Sequence, residues 1–413
     1  MTNDQKSTKG RVIVALDIAK SSHDAAIQLI NGKRLNTKIP NTKDGYQTLI
    51  ERCGVTSDRI DVGFEPTADY HRNIAYWLAD AGCDCYLVSS LPCARAREML
   101  HNTWDKNDRK DASVVLYLMN QGISEPFHDP LVSGVMDIQE LSNTYHQLQK
   151  ARTLLLHSLF NHYVTLYFPE MEQYFNSSRA EWFCRFMLKF PTPASICRYR
   201  KSTFIKRAWD VVGRKVNKES FLSHLYDQAS QSIGLPVALD SVAVDTFRLQ
   251  LVRFADITDQ RATLERQADG FLSDRSDYQR LRSIPGIGPI LAMMIIAESG
   301  DLRRFKHYRQ YLSFSGFNLA AQQSGVSKGQ YRLSKRGNSR LRYAFWLAAT
   351  QAVKSKENSF REKFRRYIAK DPDNKDLRRK ARTAVAGKMA RVAHALVKTD
   401  RDYQGYYEFS RGT

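Results

Sequence analysis

Paired cysteines, long apolar runs and an acidic surplus are all missing from this chain of 413 residues. Its six cysteines (Cys53, Cys83, Cys85, Cys93, Cys184, Cys197) are scattered without a CxxC pair, which excludes a zinc ribbon or a disulfide framework and leaves ordinary reduced thiols. No stretch approaches the roughly 18 to 20 uncharged apolar residues that cross a bilayer. The N-terminal MTNDQKSTKG lacks the apolar run of a secretory signal, so a cytoplasmic protein with no membrane partner is expected. There is no GxxxxGK[ST] phosphate loop either. Carboxylates are in deficit, 43 Asp plus Glu against 63 Lys plus Arg, for a formal charge of +20. A polyanion would compensate that charge through phosphate contacts and counterion release, which makes nucleic acid the first partner to consider.

What is present can bury a core: 42% of residues are hydrophobic and 11% aromatic, and the length suggests two or three domains. The patterning divides the chain into 1–125, 126–277 and 278–413. The first part opens with the β-branched run RVIVALDI (11–18), then AAIQLI (25–30) and a weaker strand at 34–39, with Asn31-Gly32 supplying hairpin-turn chemistry between the last two. A helix at about 43–53 follows, then a strand at 60–64, a helix at about 69–81, a strand at 84–88, and helices from about 91 and 109. Three strands followed by alternating helix and strand is the order of a ribonuclease H-like α/β domain, a mixed sheet flanked by helices.

On that scaffold Asp17 lies near the end of the first strand and Glu65 directly after the fourth, so pairing of those strands would bring the two carboxylates together. The segment KNDRKDA adds Asp108 and Asp111, three residues apart on one helical face. Four carboxylates at one sheet edge repel unless a divalent cation neutralises them, and Mg²⁺ is the natural candidate. Such a cation would polarise a phosphodiester and stabilise the attacking and leaving oxygens. The plain alternative is that each acid is solvated or paired with a nearby base, since Arg109 and Lys110 stand between Asp108 and Asp111.

With ALDIAK, FEPTADYH and KNDRKDA in place, the N-terminal part resembles the DEDD transposases of the bacterial insertion-sequence 110 family, whose first domain is similar to the Holliday-junction resolvase RuvC. One departure is visible: the family usually has glycine shortly after Glu-x-Thr, where this chain has Ala68 and Asp69.

In the middle, Ile138, Leu141, Tyr145, Leu148, Leu155 and Leu159 form an approximate heptad stripe broken at Arg152. A second runs from Phe247 through Phe254, Ile257, Leu264 and Ala268 to Phe271. Two long helices are expected, pairing with each other or with a second subunit. Between them, 169–240 is aromatic and basic, with a helix after Ser178 ended by Pro191 and another from about Glu219 to Ile233; its run RYRKSTFIKR could meet a nucleic-acid backbone or simply be solvated.

The third part has a mainly α-helical pattern that begins with LRSIPGIGPILAMMIIAESGD (281–301), the form of a helix-hairpin-helix. Gly286 and Gly288 in its turn allow backbone N–H groups beside a helix start to bind a DNA phosphate, although a purely structural helix pair has the same turn. A loop then carries Ser324 before Gly325, followed by Lys328, Lys335, Arg336, Asn338 and a helix with Arg340 and Arg342. Cations there would bind phosphate oxygens and stabilise a serine alkoxide attacking phosphorus. Considered alone, a phosphate-binding loop without chemistry explains the same residues. GFNLAAQQSG followed by SKRGNSRLR, however, resembles the second domain of the same transposases, which implies that Ser324 is the nucleophile that joins to DNA, with Ser327 and Ser334 as neighbouring alternatives. Basic residues recur over 361–391.

The expectation is therefore a DNA transposase or site-specific recombinase using Mg²⁺ at Asp17, Glu65, Asp108 and Asp111 together with Ser324. The resemblance further implies a homodimer or dimer of dimers, and a structured guide RNA from the element that pairs with double-stranded DNA at the element ends and target. The alternatives are a metal-dependent junction-resolving nuclease that forms no covalent intermediate, and a non-catalytic nucleic-acid-binding protein.

Overall fold

The computed structural model describes residues 10–66, 68–101, 108–128, 131, 134–176, 180–212, 217–320, 323–324, 327–328 and 332–405. They fall into two compact units, Met1–Gly134 and Val135–Thr413.

In the first unit the apolar alternation produces β1 (Val12–Ile18), β2 (Ser22–Gln28) and β3 (Arg34–Pro40), then α1 (Lys43–Cys53), β4 (Ile60–Phe64), α2 (Tyr70–Asp80), β5 (Asp84–Leu87), α3 (Ser90–His101), α4 (Asp108–Asn120) and the short β6 (Glu125–Pro126). The sheet order is β3-β2-β1-β4-β5-β6. The first three strands are antiparallel, β4 and β5 run parallel to β1, and β6 is antiparallel to β5. This is the expected mixed sheet of ribonuclease H-like type, flanked by helices. Gly32 makes the expected turn at φ +81°, where L side chains are strained. The helix α1 is capped at one end by Thr42 Oγ1, which accepts from Gly45 N at 3.2 Å, and at the other by left-handed Gly54.

Strand pleating sorts the side chains into two layers. Val12, Val14, Leu16 and Ile18, with Ile60, Val62 and Phe64, pack with Leu49 of α1 and Ile74 of α2. Ile13, Ala15 and Ala26 face the other way, onto Cys93 of α3 and Ala112 and Val115 of α4. Each fully buried aliphatic side chain stabilises this arrangement by about 1.5–3 kcal/mol. At the starting end of the parallel strands, Arg11 ties β4 and β5 together, donating to Asp61 Oδ1 at 2.8 Å and Asp84 Oδ2 at 2.6 Å. Gly63 lets α4 lie against the sheet, because a Cβ there would fall 2.1 Å from Met119 Sδ.

The second unit is mainly helical, as expected. Its first helix, α5 (Met136–Ser158), continues through a π-helical turn at Leu159–Val164 into α6 (Thr165–Tyr167). There follow α7 (Ala180–Lys189), α8 (Pro193–Cys197), α9 (Lys201–Ala208), α10 (Lys218–Ser230) and α11 (Val242–Leu272). The two long helices pack on each other within the chain. Arg152, which interrupts the stripe, is 8% exposed; it lies 4.9 Å from the Phe254 ring and donates to Thr258 Oγ1 at 3.3 Å. Tyr145 Oη accepts from Arg261 at 2.7 Å a little farther along. One core joins Leu155 and Leu159 to Phe183, Phe186, Phe204, Phe247 and Phe254.

A second core is built by α12 (Ser276–Arg282), α13 (Pro289–Ser299), α14 (Tyr308–Phe314), α15 (Ser339–Ala352), α16 (Ser359–Ile368) and α17 (Lys375–Thr399), together with Ile138 of α5 and Ala268 and Leu272 of α11. The segment expected as a loop instead forms nested ladders: β7 (Leu319–Ala320) pairs with β10 (Arg332–Leu333), and β8 (Gln323–Ser324) with β9 (Ser327–Lys328). Strands of two residues, in a polar stretch, carry no alternation long enough to read from sequence.

Candidate active site

The parallel register of β1 and β4 pairs Leu16 with Phe64, so the next residues in step are Asp17 and Glu65. By alternation Asp17 shares the face of Ile13 and Ala15, toward α4. The expected neighbourhood of these two acids is thus present in the backbone. A third acid on this face was missed: Asp24 of β2 stands opposite Asp17 in the antiparallel ladder and lies 3.4 Å from Lys38 Nζ. Its signal was the alternation of β2, legible only once the strand is extended back to Ser22.

Asp111 lies in the first turn of α4, where Arg97 Nε of α3 donates to its Oδ1 at 2.6 Å, with both side chains less than a fifth exposed. Cys93, one turn before Arg97, is buried close to Glu65. Burial first, then the nearby charge of Glu65, push that thiol up to about 12, so it stays a protonated thiol rather than a thiolate ligand. Neither α3 residue was anticipated, because no spacing in sequence links residues 93 and 97 to 65 and 111. The side chain of Asp108 lies outside the described residues.

The donors on this face are carboxylate oxygens, the hard ligands that suit Mg²⁺. Among the described residues, however, no three His, Cys, Asp or Glu side chains converge as metal ligands would. Asp24 and Asp111 are paired instead with Lys38 and Arg97.

In the second unit Ser324 and Ser327 face each other across the β8–β9 pair. The side chains of Ser324, Ser327 and Lys328, and the intervening Gly325 and Val326, lie outside the described residues. Ser334 N donates to Asn318 O at 2.7 Å, and Ser334 Oγ accepts from Arg336 N at 3.3 Å. Lys335 (φ +55°) and Gly337 (φ +122°) turn the chain back onto the end of α14, leaving the Lys335 and Arg336 side chains exposed.

The other expected phosphate ligands already have work within the fold. Asn338 caps α15, accepting from Leu341 N at 2.9 Å while donating to Glu298 Oε2 at 2.7 Å. Arg340 lies 3.4 Å from Glu298 Oε1 and donates to Asn143 of α5. Arg342 donates to the backbone oxygens of Ser315 and Lys335. In the 283–288 turn, Gly286 (φ +89°) presses against α15, for a Cβ there would sit 2.3 Å from Ala348 O. Gly288 stands at the N-cap of α13, and a Cβ there would meet open space.

Family models match segments of both units. Residues 278–365 match the Transposase IS116/IS110/IS902 family. Residues 14–169 match a second family, described as Transposase, of the DEDD type of IS110 elements. The chain is 23% identical over 364 residues to the insertion element IS116 uncharacterized 44.8 kDa protein of Streptomyces clavuligerus, covering 83% of this chain and 85% of that one. It is 28% identical over 176 residues to the transposase for insertion sequence element IS1111A of Coxiella burnetii, covering 43% and 47% of the two. A probable family 20 transposase of Pseudomonas aeruginosa is 30% identical over 146 residues, or 35% of this chain and 42% of that one.

Proposed function

Because the chain belongs to the insertion-sequence 110 family of DEDD transposases, we propose that it excises and inserts a mobile element through a covalent phosphoserine link formed by Ser324. The observation that carries the reading is the step-for-step pairing of β1 with β4, which sets Asp17 beside Glu65 on the face where α4 presents Asp111. In this reading Asp17, Glu65, Asp108 and Asp111 would hold Mg²⁺, which when bound would neutralise charge on the scissile phosphate. Arg97 must then leave Asp111 to free that carboxylate.

The chemistry assigned to the second unit is a transesterification. Ser324 Oγ bonds to phosphorus as the bond from phosphorus to one deoxyribose oxygen breaks. The serine proton passes to a carboxylate or water, and the displaced oxygen takes up a proton to leave as a hydroxyl. The new phosphodiester conserves the bond energy, so rejoining by attack of a DNA hydroxyl needs no nucleotide cofactor. Exposed Lys335 and Arg336, with Lys328, neutralise the phosphate, and Gly288 with the start of α13 offers backbone N–H groups to a neighbouring one.

The reading includes a structured RNA from the element as guide, a homodimer or dimer of dimers, and action in the cytoplasm on double-stranded DNA. The charge of +20 is in keeping with that much nucleic acid. The test is a denaturing gel of the protein incubated with Mg²⁺, element ends and the flanking non-coding RNA. A protein–DNA adduct that disappears in Ser324→Ala is expected. Cleavage without an adduct, unchanged in that variant, would overturn the serine mechanism and leave a metal-dependent nuclease.

A further inference from the structure

A second concentration of positive charge lies in the C-terminal core, apart from the serine hairpin. Lys388, Arg391 and Lys398 share one face of α17 and, with Lys306, His307 and Tyr308 at the start of α14, line an open cavity of about 630 Å³ that no carboxylate lines. Lys388 Nζ donates to Ser359 O at 3.2 Å and Lys398 Nζ to Lys306 O at 2.6 Å, so each ammonium keeps further N–H groups for a ligand. The Arg391 guanidinium stands 5.9 Å from the Tyr308 ring, and the His307 and Tyr308 rings are tilted together at 4.5 Å. Glu362 is the acid that acts on Lys388, and it is itself paired with Arg366. Burial, and then the neighbouring Arg391 and Lys388, lower the pKa of Lys363 on α16.

We infer that this cavity takes an unpaired nucleotide, with the base on the Tyr308 and His307 rings and its flanking phosphates on Lys388, Arg391 and Lys398. A base inside a duplex hides its face from such a ring, whereas a single strand offers base face and phosphate together. Single-stranded DNA and single-stranded RNA share this chemistry. The inference rests on the reading of the chain as an enzyme that handles nucleic acid.

The test uses the full chain and fluorescence anisotropy with three labelled probes: a short oligo(dT), a short oligo(rU) and a blunt DNA duplex. Tyr308→Ala should lower single-strand affinity roughly 5- to 150-fold, the worth of a base stacked on an aromatic ring, while leaving duplex binding within about two-fold. Tyr308→Phe should restore it. Arg391→Gln with Lys398→Gln should reduce the salt dependence of single-strand binding, as log K against log salt, by about 1.4. Preference for oligo(rU) or oligo(dT) in the native protein, lost in Tyr308→Ala, identifies which strand is the occupant. A folded Tyr308→Ala that binds single strands as the native protein does, an equal loss of duplex binding, or a native protein that ignores both single strands overturns the inference. A native protein that neither binds nor cuts duplex DNA would defeat the transposase mechanism instead, whatever Tyr308 does.

Discussion

Replacing Gly63 with alanine tests whether the contact of sheet with helix sets the acidic face. The added Cβ would lie 2.1 Å from Met119 Sδ, 2.8 Å from its Cε and 2.9 Å from its Cγ. Non-bonded heavy atoms settle at roughly 3.5–4.0 Å, so Met119 or α4 must yield by more than about 1 Å. Met119 is 8% exposed, and turning it outward would give up about 1.5–3 kcal/mol of burial. Overpacking of this kind costs about 1–3 kcal/mol. At about 3–5 °C per kcal/mol for a unit of this size, its melting transition should fall by roughly 3–15 °C. Calorimetry of Gly63→Ala, Met119→Ala and the double variant provides the assay. Met119→Ala alone should cost about 2–5 kcal/mol. In the pair, the new methyl enters the vacated space, and the combined cost should undershoot the sum by about 1 kcal/mol or more. Because α4 carries Asp111, DNA cleavage by Gly63→Ala should fall more than DNA binding. Strict additivity, or a single variant that melts like the native protein, would refute the reasoning.

Arg97→Gln removes the cation that holds Asp111, and should lower the Mg²⁺ concentration at which the metal raises the melting temperature; an unchanged or higher concentration would contradict a competition between Arg97 and metal. Gly286→Ala should destabilise the second unit severely, by more than about 3 kcal/mol, since it combines a positive φ with a Cβ 2.3 Å from backbone, whereas Gly288→Ala should leave melting nearly unchanged and alter only DNA binding. Ala68 sits at φ +45°, where glycine is favoured, so Ala68→Gly should raise stability by about 0.5–1 kcal/mol in a urea melt. Burial pushes Cys53, Cys93 and Cys184 to about 12 and Cys83 to about 11, against 9.0 when unburied. Raised folded values mean that unfolding releases protons above about pH 9, so stability should hold below that pH and fall toward pH 12 by up to about 1.4 kcal/mol per unit for each thiol, checked by melting curves at alkaline pH.

Strand period and turn chemistry made the first unit readable. Alternation in RVIVALDI and the Asn31-Gly32 turn locate β1 to β3, and the order of elements then makes β1 and β4 neighbours, which is why Asp17 and Glu65 could be paired in advance. The side chains beside those acids were beyond that logic. Cys93 and Arg97 reach Glu65 and Asp111 only because α3 and α4 pack on the same side of the sheet, a tertiary fact with no fixed sequence spacing. The same holds for Asn338, Arg340 and Arg342, which look like phosphate ligands in a basic segment until Glu298, Asn143 and the Ser315 and Lys335 carbonyls engage them. Arg152 read as a fault in a heptad stripe, whereas Phe254 and Thr258 on the facing helix give it a place.

The long pair α5 and α11 gives the second unit an interrupted topology. The chain leaves the C-terminal core at Ile138, enters the aromatic core at Leu155, and comes back from Phe247 to Ala268 and Leu272 along the antiparallel partner. Everything from the π-helical turn to the start of α11 is therefore an insertion hung from the far end of a helical stalk. Its removal need not reroute the remaining chain: a short turn joining the two stalk helices preserves the connectivity of α12 through α17. The stalk acts as a modular joint, which lets the aromatic subdomain be a separate module while the serine-bearing core keeps its thread.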